Sequence, residues 1–177
     1  MGDHPEVMFI SSSVGAGHHQ AARAVIEVLR RRHPEIETEF VDALERVPRW
    51  FRLWYNGAYT LGVTQLHRLY GWFYDRLDRP TGPRRRRGER VRLATERYAT
   101  RRLRRYILSR RPKLVVATHF LAPPSLGRMI GKGRADLGLW IIMTDQEAHR
   151  FWYTEHAGRY FVANEQIPAS LARWGID

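Results

Sequence analysis

Cysteine is absent from this 177-residue sequence. That excludes a disulfide scaffold and any thiolate metal site, and it fits a reducing compartment. No apolar run is long. "LVVAT" and "LGLWIIM" fall far short of the roughly 20 residues that a membrane-crossing helix needs. The opening "MGDHPEVMFISSS" carries acids and no basic leader, so no secretory signal is expected and the cytoplasm is the expected location. Lysine is nearly missing, with only Lys113 and Lys132, and acids are scarce: 18 Asp and Glu stand against 30 Lys and Arg, a net charge of +12. Such an excess suits an anionic partner: nucleic acid, a phosphate-bearing ligand or an acidic membrane face. Because the positive charge is almost all arginine, nucleotide bias in the genome would explain it equally well. The hydrophobic share, 44%, is ordinary, and the length suits one domain with a real core.

Apolar stretches alternate with helical patterns. "VMFISSS" (7–13) reads as a buried strand, and 19–32 as a helix with Ala21, Ala22, Val25, Val28 and Leu29 recurring at helical steps. Pro34 stops it, and "IETEFVDAL" (36–44) alternates like a second strand. After residue 111, strands are expected at 113–119, 137–145 and 159–164, and helices at 123–130 and 165–175. This order predicts an α/β fold: a Rossmann-like parallel sheet with helices on both faces. Residues 89–111 read as one arginine-rich helix with Val91, Leu93, Ala94, Tyr98, Leu103, Tyr106 and Ile107 inward.

Parallel sheets gather ligands at the carboxyl ends of their strands. Those ends carry Gly15, Gly17, His18 and His19, then His119, then Asp145, His149 and Trp152. The turn "SSSVGAGHHQ" is not a P-loop, because a Lys-Ser/Thr pair does not follow its last glycine. The dinucleotide fingerprint has Gly15 and Gly17 but Gln20 at its third position, although Asp42 suits the ribose-binding acid. A helix N-terminus at this turn would still favour an anion. His18 is either a capping residue or a proton acceptor, with Asp145 the carboxylate expected to orient it. Zinc is disfavoured. His18, His19, His119, His149 and His156 lack the HExxH arrangement, so no metal is expected.

Residues 48–79 crowd aromatics onto two helical faces, and two helices with a bend are expected there. Trp50, Trp54 and Ala58 share one face; Phe51, Tyr55 and Tyr59 share the next. One face can cover the sheet, leaving the other for a partner. Tryptophan, tyrosine and arginine suit an anionic bilayer surface better than they suit single-stranded nucleic acid here. No nucleic-acid partner is therefore expected. "RPTGPRRRRG" (79–88) reads as a loop whose arginines, Arg84, Arg85, Arg86 and Arg87, join that surface.

"SSSVGAGHHQAARAV", "ATHFLAP" and "TDQEAHRFWYTEHAGRYFVANEQIPASLARWGI" together resemble the N-terminal domain of the monogalactosyldiacylglycerol synthase and processive diacylglycerol glucosyltransferase family. The resemblance implies the N-terminal half of a GT-B glycosyltransferase. Residues 1–177 would form one acceptor- and membrane-binding domain, with 48–111 an aromatic and arginine-rich helical insertion. It implies transfer of a hexose from UDP-glucose or UDP-galactose to diacylglycerol, with inversion and without a catalytic metal or other cofactor. His18 and Asp145 would be catalytic, and Gly15, Ala16 and Gly17 would approach the donor phosphates. His19, His119, His149 and Trp152 would line the acceptor side. Trp50, Phe51, Trp54, Tyr55 and Arg84–Arg87 would contact the inner face of the cell membrane. The family's UDP-sugar-binding domain would follow "ARWGID" and is not among these residues, so little turnover is expected from them alone. A non-enzymatic membrane-binding module and a nucleic-acid-binding α/β domain are the competing expectations.

Overall fold

The computed structural model describes residues 4–14, 16–64, 87–146 and 149–176, with the backbone alone for 59–64, 87–90 and 92. Its centre is a sheet of β1 (Val7–Ser11), β2 (Thr38–Asp42), β3 (Leu114–Ala117), β4 (Gly138–Ile142) and β5 (Arg159–Phe161). The order is β2-β1-β3-β4-β5, and every adjacent pair is parallel. Alternation along each strand divides the core. Met8, Ile10, Val115 and Leu139 face one side, and Phe9, Val116 and Trp140 the other. Both faces are apolar because both are covered, as parallel sheets require.

The Phe9 face is covered by α1 (Ala16–Arg32) through Ala22, Ile26 and Leu29. The expected inward residues Val25 and Val28 are exposed, because the buried stripe is centred on Ile26 instead. The Met8 face is covered by α2 (Arg49–Thr64), then by α4 (Arg101–Arg110) and α5 (Pro123–Ile130), through Phe51, Leu103, Ile107 and Leu126. Near β5 the short α6 (Gln166–Ala172) adds Ile167 and Leu171 to a cluster with Ile141, Met143 and Trp152.

The strands are shorter than the sequence suggests, because their last polar residues already belong to the loops at the rim. Asp42 ends β2 and caps the 3-10 turn Ala43–Arg46 by accepting the Leu44 amide at 2.9 Å. The expected single helix over 89–111 is two: α3 (Arg87–Ala99) and α4, separated at Thr100. Thr100 is buried and its hydroxyl donates to the Glu96 carbonyl, a back-bond that disturbs helices. Beyond this break the inward face resumes at Leu103 and Ile107, whereas Val91 and Tyr98 on α3 are exposed. The second aromatic helix and most of the loop expected at 79–88 lie outside the described residues; Arg87 and Gly88, expected in that loop, begin α3 instead.

Candidate active site at the carboxyl rim of the sheet

The strand order reverses at β1, whose neighbours on its two sides are β2 and β3. Ligand crevices form at such switch points. There the first turn of α1 carries His18, half-buried, with its imidazole reaching across to the ends of β3 and β4. Its Nδ1 lies 2.9 Å from the Thr118 carbonyl oxygen and 2.5 Å from Thr144 Oγ1. A carbonyl only accepts, so Nδ1 carries the hydrogen and Nε2 keeps the lone pair. The Thr118 hydroxyl donates in turn to the His18 carbonyl at 3.0 Å. One buried threonine thus holds both the ring and the backbone of His18.

This corrects the expectation that Asp145 orients His18 through a hydrogen bond. Asp145 Oδ2 instead accepts from His149 Nε2 at 2.8 Å and from Trp152 Nε1 at 2.7 Å. Its negative charge still reaches the His18 ring. Burial works to raise the Asp145 pKa, but the bonds from His149 and Trp152 and the charges of His149 and His18 outweigh it. The carboxyl is therefore held below its ordinary value of 3.8. For His18, burial dominates and lowers the pKa below 6.5, against the opposing pull of Asp145 and of the Thr118 carbonyl. Neighbouring His19 and His149 push in the same direction as burial. A pKa below 6.5 favours the neutral ring at pH 7, the form able to accept a proton.

Trp152 reaches Asp145 from a strap after β4 that includes the 3-10 turn Arg150–Trp152. The strap is fixed from two sides. The Tyr160 hydroxyl on β5 accepts the Thr154 amide at 3.0 Å and lies 3.2 Å from the carbonyls of both Trp152 and Thr154, which share its hydrogen. Burial pushes that phenol up to about 12. Gly127 on α5 and Gly131, which caps its C-terminal end, leave room for the strap. A Cβ at Gly127 would lie 1.9 Å from the Glu155 carbonyl oxygen, and one at Gly131 would lie 2.1 Å from the His156 ring.

Several expected acceptor residues have other positions. His119 and Trp152 are buried, at 2% and 0% exposure, so they support the site from behind and do not line it. His119 Nδ1 accepts the Leu121 amide at 3.1 Å, and its ring meets His18 edge-on at 4.7 Å between centroids. Burial first, then the His18 charge, puts its pKa well below 6.5. His19 turns away from His18, toward Phe40 and Asp42, with Nε2 3.6 Å from Asp42 Oδ2. Asp42 also accepts the amides of Ser13 and Leu44. That carboxylate is buried and engaged, which removes it as a ribose ligand. His149 is half-buried, and Phe120 packs edge-on to it with centroids 5.2 Å apart. Ala16 and Gly17 lie exposed in the first turn of α1, with open space around Gly17; Gly15 lies outside the described residues.

On α2, Trp50, Leu53 and Trp54 are 51%, 70% and 59% exposed. Phe51, expected at the membrane, is fully buried in the core, because it shares the face that covers the sheet. Tyr55 is half-buried between that core and His119, with ring centroids 6.0 Å apart. Arg84, Arg85 and Arg86 lie outside the described residues, as does the side chain of Arg87 at the start of α3. Sequence reasoning missed Thr118 and Thr144. The signal available was position: each is a polar β-branched residue within two residues of the end of a buried strand.

A sequence profile of the monogalactosyldiacylglycerol (MGDG) synthase family matches residues 18–177. The chain belongs to that family. No curated protein and no solved structure gives a match. MGDG synthase membership makes this a glycolipid glycosyltransferase sequence, and the five-stranded parallel sheet is the Rossmann-like N-terminal half of a GT-B fold. Among the described residues, no helix is long and apolar enough to cross a membrane, and no three His, Asp or Glu are grouped to hold a metal ion.

Proposed function

We propose that residues 1–177 are the acceptor-binding half of a membrane-associated glycosyltransferase that moves a hexose from a UDP-sugar to the hydroxyl of diacylglycerol. The observation that carries this reading is the contact of His18 Nδ1 with the Thr118 carbonyl, from which the tautomer follows. In an MGDG synthase family chain, at the switch point of a parallel sheet, a neutral imidazole is tied at Nδ1 and keeps its Nε2 lone pair. Nε2 takes the proton of the acceptor hydroxyl while that oxygen bonds to the anomeric carbon. The bond from the anomeric carbon to the phosphate oxygen breaks, UDP leaves with the electron pair, and the configuration inverts. Asp145 stabilises the imidazolium that forms. The first amides of α1, around Ala16 and Gly17, favour the donor phosphates. The reading calls for no metal and assigns the rest of donor binding to a second Rossmann-like domain, in cis or as a separate chain. The outward face of α2, Trp50, Leu53 and Trp54, enters the headgroup layer at the inner face of the cell membrane.

The test supplies a family donor-binding domain together with UDP-glucose or UDP-galactose and diacylglycerol in anionic vesicles. Turnover is expected with the wild-type chain. His18→Ala should lose roughly 10²- to 10⁴-fold, the share a positioned base contributes, while still sedimenting with vesicles. Undiminished turnover in His18→Ala would overturn the reading. Vesicle binding without turnover for any donor domain would favour a non-enzymatic membrane module.

A further inference from the structure

A histidine base commonly relies on one carboxylate for two services: a hydrogen bond that orients the ring, and a negative charge that stabilises its protonated form. Here the two are separated. Asp145 has no hydrogen bond to His18; its Oδ2 is taken by His149 and Trp152. The residue just before it, Thr144, has its hydroxyl 2.5 Å from His18 Nδ1. We infer that Thr144 is a positioning residue for the reaction, sharing with the neighbouring Asp145 the work of that one carboxylate. This rests on the reading of His18 as the base.

The geometry assigns the parts. The Nδ1 hydrogen lies between two acceptors, the Thr118 carbonyl and the Thr144 hydroxyl, on the ends of β3 and β4. Two anchors on separate strands fix the plane of the ring, which one anchor would leave free to swing. When Nε2 gains a proton, Nδ1–H becomes a charged donor and both bonds strengthen. Thr144 thus favours the protonated form through a neutral dipole, and Asp145 favours it through charge. The other titratable groups near the ring are His119, His19 and His149. All three are imidazoles; the charges of His19 and His149 oppose protonation of His18, while burial disfavours a charge on His119.

The test reads the ring itself. Nitrogen-15 spectra of the chain, without donor or lipid, follow His18 through a pH titration in the wild type, Thr144→Val, Thr144→Ser and Asp145→Asn. The Val variant should keep the Nδ1–H tautomer, because the Thr118 carbonyl remains, yet its midpoint should move to lower pH. The Ser variant should restore the wild-type midpoint. Asp145→Asn should also lower the midpoint while leaving the Nδ1–H signature in place. With a donor domain supplied, Thr144→Val should lose roughly tenfold to a hundredfold in kcat, a part of what a positioned base provides, with KM little changed. If Val does not fold, Thr144→Ala serves in its place. An unchanged midpoint in the hydroxyl-free variant, or failure of Ser to restore it, overturns the inference. The titration needs no catalysis, so it fails independently of the base assignment, which falls only if His18→Ala remains active.

Discussion

At the scale of single residues, proton chemistry makes the first claims. Burial lowers the His18 pKa below 6.5, so its accepting form persists on the acid side of neutrality. Turnover in a reconstituted enzyme should therefore be flat near pH 7 and fall only once the pH drops below 6.5, as kcat/KM against pH would show. The same burial costs stability in acid. His18 and His119 have lower pKa values folded than unfolded, so the unfolded chain binds more protons below pH 6.5 and unfolding is favoured there. The melting temperature should drop between pH 7 and pH 5, and His119→Leu should flatten that slope. The variant starts from a lower plateau, because the Leu121 amide loses its acceptor at a cost of about 1–3 kcal/mol. Asp145 acts in a separate window. Its lowered pKa contributes stability above 3.8 that disappears as the pH falls through its folded value.

At the scale of elements, α2 carries two unlike faces, and substitutions on them should behave differently. Phe51→Ala should cost about 3–5 kcal/mol in urea unfolding, as expected for a buried phenylalanine. Trp50→Ala and Trp54→Ala, both exposed, should change stability by no more than about 0.5 kcal/mol while weakening vesicle binding. The contact between α5 and the strap gives another case. Gly127→Ala would set a methyl against the Glu155 carbonyl, which is backbone and cannot rotate aside. A loss of about 1–3 kcal/mol is expected, with tryptophan fluorescence reporting displacement of Trp152. The element order was readable in the sequence because apolar strands and helices differ in period; α5 occupies the very residues that pattern assigned to it. The two faces of α2 were readable too, but not which one was buried, since both are aromatic. The position of Thr118 and Thr144 was readable, but their double grip on His18 was not. A threonine at a strand end reveals its partner only when β1, β3 and β4 lie side by side, and nothing local in the sequence encodes that pairing.

At the scale of the whole molecule, the net charge of +12 should make the proposed association with anionic vesicles salt-dependent. Binding should weaken steadily as ionic strength rises from about 0.05 to 0.5 M, where the screening length shrinks to a few ångströms. Vesicles of neutral lipid should show a weaker slope, because only the tryptophan face then contributes. The placement of β1 has a further effect, felt during synthesis. This strand is made first, yet it sits inside the sheet, with β2 on one flank and β3 on the other. Until Leu114–Ala117 leaves the ribosome, one side of β1 presents bare amides and carbonyls beside Phe9 and Ile10, an adhesive margin of the kind that recruits other chains. Polypeptides stalled before that point should aggregate more than those stalled after Ile142, once β3 covers β1 and β4 covers β3.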